Sequence, residues 1–489
     1  MKMNTERKIP SFRYSLLVML AIIALTSVGI VVFNASITTM FLLSWLIVVP
    51  AAMKLGYTND EIEAFGFEVG KDAFQSNLII LSVGVLIAAW IAAGTIPTVV
   101  YSGLTIITPK YFLLTTLIVC SLTSVATGTS WGTLGTSGIA MMSIGTSMGI
   151  PLGLTAGAVI SGAFFGDKMS PLSDSTNLAA AVCKTDVITH MKHMFYTTGP
   201  AYVICIVLYT VIGFKYSNNT IDYVQINQIK DVLNSNFHIG LVAMIPIIFL
   251  LLLLLLQKPP IISILSSAIM GLIIAVFQEG EKIGDVLNYM LSGFTIDTGF
   301  VYADKLLNRG GIMSMAETVL LVFVVFVIAG ILQKTGFLEV LLQPLITKIG
   351  KSRTKLVGST FIVSYFANAF SSSMMFTSVF VGTLMSPIYK EFKLKPQNLS
   401  RIIEDTATLG GPLIPWNSNA VFCAQTLGVS PLEFIPYCFL SWITPIISFI
   451  YGVTGFTMLT YTDDEIEELE IFDTAQRRVD WIWNLNTIT

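Results

Sequence analysis

The chain has 489 residues, 54% hydrophobic and 12% charged, with a formal net charge of −3. Soluble domains carry about 25% charged residues, so this composition excludes an ordinary soluble fold, and the slightly acidic balance excludes a nucleic-acid partner. The class that remains is an all-α polytopic membrane protein. The five cysteines (Cys120, Cys183, Cys205, Cys423, Cys438) form no C-x-x-C pair and lie mostly in apolar runs, so they read as buried hydrophobes. No metal-ligand cluster and no cofactor motif stands out. The i, i+3 pair His190 and His193 reads as a solvated helix face.

Lys2, Arg7, Lys8 and Arg13 precede or open an apolar run at 14–33 that lacks a small-residue cleavage signal and is long enough to span. It is expected to be a retained first helix with a cytoplasmic N-terminus. Further apolar segments fall at 36–53, 76–93, 111–127, 132–148, 153–165 and 197–215. A polar linker, 216–236, carries Asp222 and Asp231. A second series follows at 237–256, 260–277, 312–332, 354–370, 374–389, 402–422 and 437–458. The tail, 459–489, is acidic from Asp463 to Glu470 and reads as a cytoplasmic surface helix.

The two series match in order. Each opens with two close helices, then an amphipathic connector containing Gly-Phe, at 59–74 and 282–294. A long helix, a hairpin rich in small polar residues, a proline-broken segment and a closing helix follow. The closing helices are expected to begin at the turns Thr198-Gly199-Pro200 and Ile443-Thr444-Pro445. This order is the signature of internal duplication, with repeats at 1–215 and 237–458. Lys and Arg favour cytoplasmic loops. The loop 94–110 carries only Lys110, whereas its counterpart 333–355 carries Lys334, Lys348, Lys351, Arg353 and Lys355. Lys184 and Lys192 lie in 181–196, while 423–436 has no basic residue, and Lys258 has no counterpart in turn 34–35. Equivalent loops therefore sit on opposite faces, as an odd number of crossings per half (about seven) and inverted repeats require.

Two broken sites stand out. The first combines 127–136 (TGTSWGTLGT) with 166–177 (GDKMSPLSDSTN). The second combines 368–373 (NAFSSS) with 404–419 (EDTATLGGPLIPWNSN). Charge at membrane depth is costly unless paired or facing a wet cavity, so such breaks mark a transport pathway. Hydroxyls, amide oxygens, carboxylates and freed carbonyls suit a small hard cation such as sodium. Burial raises a carboxylate's affinity for protons, so proton and cation compete for one oxygen, which suffices for antiport.

Simpler readings apply to some of these residues. Thr115, Thr116 and Ser143 read as helix-packing residues. Asp167 has Lys168 beside it as a structural partner, and Arg401 can serve Glu404 or Asp405. Trp131 and Trp416 read as packing wedges, and Glu317 as interfacial. Asp174 has no adjacent cation and is therefore the first choice for the exchanging carboxylate, with Asp167 and Asp405 next. Thr129, Ser130, Ser173, Asn177, Asn417 and Ser418 are the neutral ligand candidates, with sodium at Asp174, Asp167, Thr129 and Asn417. Glu404, Asn368, Ser371, Ser372 and Lys168 are further candidates.

The stretches GAFFGDKMSPLSDSTNLA (162–179), TGTSWGT (127–133) and PLIPWN (412–417) closely resemble the NhaC family of sodium/proton antiporters, over nearly the whole chain. The resemblance implies the ion-transporter fold: inverted repeats, re-entrant hairpins, scaffold and transport domains, often a homodimer. The same family includes sodium-coupled malate/lactate exchangers, so two functions are carried forward. One is a Na+/H+ antiporter of the bacterial plasma membrane. The other is a Na+- or H+-coupled exchanger of an organic anion or amino acid, held by half-helix N–H groups, Asn368, Asn417 and Lys168. An intramembrane aspartyl protease would need Asp167 and Asp174 to share a proton, and Pro171 between them breaks that geometry. A passive channel fits paired broken helices less well than alternating access does. No enzymatic activity is expected.

Overall fold

The computed structural model describes residues 9–33, 35–215, 223–256, 258–347, 349–350, 352–462 and 465. Lys2, Arg7, Lys8, Asp222, Lys348, Lys351 and most of the acidic tail lie outside the described residues. Among the described residues the chain is helical apart from one isolated bridge, Leu394 to Thr460.

The first half opens with α1 (Phe12–Phe33) and α2 (Ile37–Lys54), the latter capped by Ser36 accepting from the Thr39 N–H. α3 (Asn59–Ala92) starts at a reciprocal cap between Thr58 and Glu61 and continues for 34 residues. The expected connector at 59–74 is thus the first half of the long helix. Its charged residues interrupt the apolar pattern, but no proline breaks the backbone. At Gly94, in the left-handed region, the chain bends by 69° into α4 (Thr95–Ile106). The expected loop 94–110 is therefore mostly helix. Pro97 lies in the first turn, where its missing N–H is not needed.

α5 (Phe112–Thr127) ends on Gly128, and α6 (Ser130–Thr133) runs through a π turn (Leu134–Gly138) into α7 (Ile139–Ser147). α8 (Leu152–Met169), α9 (Asp174–Cys183) and α10 (Val187–Lys215) complete this half. α8 is buried along nearly its whole length. It lies tight against α5 because of two glycines. A Cβ at Gly162 would come within 2.6 Å of the Leu117 carbonyl oxygen, and one at Gly166 would collide with Ser124 and Val125.

The second half comprises α11 (Tyr223–Asn236), α12 (Ile245–Leu255), α13 (Pro260–Phe277), α14 (Ile283–Ser292), α15 (Val301–Leu307), α16 (Ala316–Lys334) and α17 (Phe337–Thr347). α18 (Arg353–Ser371) ends on Ser372, in the left-handed region, and α19 (Met374–Glu391) follows. α20 (Pro396–Ile403) continues into a π turn (Glu404–Thr408), and after the break come α21 (Ser418–Leu427), α22 (Pro431–Phe434) and α23 (Phe439–Thr454). Pro200 and Pro445 lie inside α10 and α23, so both closing helices begin before the turns expected to start them.

Among the described residues, four helices are long and apolar enough to cross a membrane, or up to six if each of two bent pairs counts as one. The chain is a multi-pass membrane protein. Some other apolar runs in the sequence are halves of broken helices, such as α8 and α9. All five cysteines are buried and free, as expected.

Candidate functional site

The two breaks are built alike. α5 stops at Gly128 and α18 at Ser372, both left-handed. The next residue in each, Thr129 or Ser373, turns its hydroxyl back as a helix cap, accepting from Gly132 N–H and Phe376 N–H. α8 then breaks at 170–173 before α9, whose first residue is Asp174. The run from α20 breaks at 409–417 before α21, which is capped by Asn417. Residues at all four helix starts (Thr129 and Ser130, Asp174, Ser373 and Met374, Ser418 and Asn419) line one cavity of about 540 Å³.

Asp167 lines this cavity and is only 1% exposed. Its Oδ2 accepts from the Ser130 hydroxyl at 2.6 Å and its Oδ1 from the Ser173 hydroxyl at 2.7 Å. Asp174 lines the same cavity but is exposed, its carboxylate capping only its own helix through Ser175 N–H at 3.1 Å. The lining also includes the apolar residues Ile79, Phe326, Met375, Phe376 and Val379. Each helix start contributes roughly +0.5 charge, so four of them about balance two ionised aspartates.

Of the sequence candidates, Thr129, Ser130, Asp167, Asp174 and Ser418 line the cavity, and Ser173 touches it through Asp167. The others support the breaks. Asn177 donates to the carbonyls of Pro171 (2.9 Å) and Ser173 (2.6 Å). Asn417 donates to Asn368 Oδ1 at 2.8 Å, and Asn368 donates to the Ala407 carbonyl at 2.8 Å. Ser371 bonds Thr377 and the Ser373 carbonyl, and Ser372 donates to the Trp416 carbonyl at 2.8 Å.

Three sequence expectations are corrected. Asp167 does not pair with Lys168. Lys168 is fully buried and forms an ion pair with Asp405, which also accepts from Thr197 at 3.3 Å. Lys168 therefore faces away from the cavity and offers it no donor. Arg401 forms an ion pair with neither Glu404 nor Asp405, although Asp405 is within its electrostatic reach. Its guanidinium donates to the Thr457 hydroxyl at 2.7 Å and contacts the Met458 sulfur. His190 and His193 are buried rather than solvated, and Ser400 bonds His190 Nδ1 at 2.7 Å. The reason is that α20 packs against the start of α10, a contact the i, i+3 spacing does not encode. Among the described residues no group of three or more His, Cys, Asp or Glu side chains is placed to hold a metal ion.

Sequence reasoning missed Asn419 and the apolar wall. Trp131 is more than a packing wedge. It donates from Nε1 to Asn419 Oδ1 at 2.9 Å and stacks on Phe422 at 4.2 Å, joining the two halves across the cavity. The N-S-N run at 417–419 was the available signal, because its first Asn caps the helix and its second must face elsewhere.

These features define a polytopic helical membrane transporter with a shared cavity between two broken-helix units. The chain belongs to the Na+/H+ antiporter family, whose model matches residues 162–456. It is 37% identical over 463 residues to the malate-2H+/Na+-lactate antiporter of Bacillus subtilis, covering 95% of this chain and 98% of that protein. It is 34% identical over 399 residues to the Na+/H+ antiporter NhaC of Alkalihalophilus pseudofirmus, covering 81% and 85%. It is also 32% identical over 480 residues to the arginine/ornithine antiporter ArcD of Halobacterium salinarum, covering 96% and 97%.

Proposed function

We propose that this chain is a secondary-active Na+/H+ antiporter of the bacterial plasma membrane. It works by alternating access between inverted repeats, with a cytoplasmic N-terminus and as a homodimer. The observation that carries this reading is Asp167, a buried carboxylate held by two hydroxyls and open to a cavity that also holds Asp174, Thr129 and Ser418. The oxygens of these residues suit sodium, which needs no thiolate or imidazole. Ser130 and Ser173 orient the carboxylate, so the ion meets preplaced oxygens. Sodium and a proton each add one positive charge to a cavity whose helix starts and aspartates already balance. Either one loads the site to the same charge, and each displaces the other.

The test is reconstitution in proteoliposomes with a pH-sensitive dye in the lumen. An imposed sodium gradient should change lumen pH with the wild-type protein and not with Asp167→Asn. A wild-type protein that moves no protons under a sodium gradient rejects the reading.

The cavity volume favours a second reading. About 540 Å³ with an apolar wall is far more than a bare ion fills and lies in the usual range for small organic ligands. Two relatives carry organic solutes in their names. In this reading, a carboxylate of the solute takes N–H groups at the start of α19, and the cation sits on Asp167. Uptake of labelled malate, lactate and arginine separates the two. No uptake of any of them, with sodium flux intact, rejects the second.

A further inference from the structure

The cavity accounts for Asp167 and Asp174 but leaves the acids behind it without a role. Glu404 is fully buried in the π turn, with the Thr408 hydroxyl of the same turn beside its carboxylate and no cation bonded to it among the described residues. It does not line the cavity. Its charged neighbours are Lys168 and Asp167 from α8 and Asp405 beside it. Lys168 is committed to Asp405, whose second oxygen is also unpartnered. Arg401, one turn earlier, faces Thr457 and Met458. From α10, His190 approaches Lys168 and His193 approaches Arg401, while Tyr365 of α18 approaches Asp405. Lys168 and Arg401 both neighbour Asp405, and Glu404 has no ion pair of its own among the described residues. A buried carboxyl so placed is accommodated only with a proton on it or a cation beside it.

We propose that Glu404 carries a second exchangeable proton, which leaves when sodium enters the Asp167–Asp174 cavity. The inference rests on the Na+/H+ reading above. Asp167 is the link, because it lines the cavity and stands next to Lys168, whose partner Asp405 stands next to Glu404. Sodium on Asp167 is held more tightly when Glu404 is ionised, since a further negative charge then lies close behind it. Linkage is reciprocal, so sodium binding must favour loss of the Glu404 proton. One sodium ion enters, one proton leaves the cavity carboxylates and one leaves Glu404, both to water on the side from which the sodium came. The loaded forms then differ by one charge, so the exchange responds to membrane potential.

The experiment counts protons released per sodium bound. Full-length protein in detergent, weakly buffered with a pH indicator, is titrated with sodium chloride against a choline chloride control. Wild type should release about two protons per sodium, and Glu404→Gln about one. An equal ratio in the two proteins overturns the inference. A folded Glu404→Gln protein that binds no sodium also overturns it, by making Glu404 part of the cation site. No proton release from wild type is a different failure, that of the Na+/H+ reading itself. Should Glu404→Gln fail to fold, Glu404→Asp takes its place in infrared difference spectra recorded on sodium addition. The lost protonated-carboxyl band of wild type should then shift in frequency, and an unshifted band overturns the proposal.

Discussion

The two broken-helix units share a plan and differ in where they put charge. Each has a left-handed stop, a hydroxyl cap and a second helix restarting at the cavity. The first unit places both its carboxylates, Asp167 and Asp174, on the cavity. The second lines it with Ser373, Ser418 and Asn419 and keeps Glu404 and Asp405 behind. The same backbone device thus serves two purposes. In one unit a helix starts at Asp174, an acid that lines the cavity. In the other the N–H groups of Ser418 and Asn419 are taken up by Ser372 and Asn417, and Asp405 pairs with Lys168 of α8. Lys168 ties the copies together, because it neighbours Asp167 in sequence and pairs with Asp405 in space.

The sharpest way to break this comparison is at that tie. Lys168→Met should lower stability by roughly 3–5 kcal/mol, because Asp405 is left buried and unpaired. Adding Asp405→Leu should recover most of the loss, and thermal unfolding in detergent compares the three proteins. The asymmetry itself is tested next. Asp167→Asn should slow sodium-driven proton movement by roughly 100-fold, whereas Ser418→Ala in the other copy should cost less than about tenfold. Equal losses would mean that the copies share the work. Gly166→Ala should destabilise by about 1–3 kcal/mol, because the new methyl pushes α8 off α5, and should raise the sodium concentration needed for half-maximal rate. The smallest effect is expected at the bridge across the cavity. Trp131→Phe, which keeps the ring but removes the donor to Asn419, should cost about 1 kcal/mol in thermal stability.

The first break was legible because its chemistry is local. Ser-Asp-Ser-Thr-Asn after proline is a helix restart, and the matching run at 404–419 was found by the same pattern. The sequence ranking put Asp174 ahead of Asp167 because Lys168 stands next to Asp167. The structure gives these neighbours different partners, so Asp167 is the carboxylate held by hydroxyls. Contacts between distant segments were not legible. Lys168 meets a partner 237 positions away, and His190 meets one 210 positions away. The helix at 95–106 was hidden because Gly94 and Pro97 look like loop punctuation, although a glycine before the first turn and a proline within it begin a helix well.

The π turn at Glu404–Thr408 has one more consequence. Such a turn holds one residue more than an α turn, which puts the residues on either side of it out of phase by about 100° of helical rotation. Neighbours in sequence then serve different partners: Asp405 meets α8 and α10, Thr406 bonds Ser364 on α18, and Glu404 has only Thr408 of its own turn beside it. The extra residue works as a phase shifter. Deleting any one residue from this stretch would keep the composition of the segment and yet exchange which side chain faces Lys168.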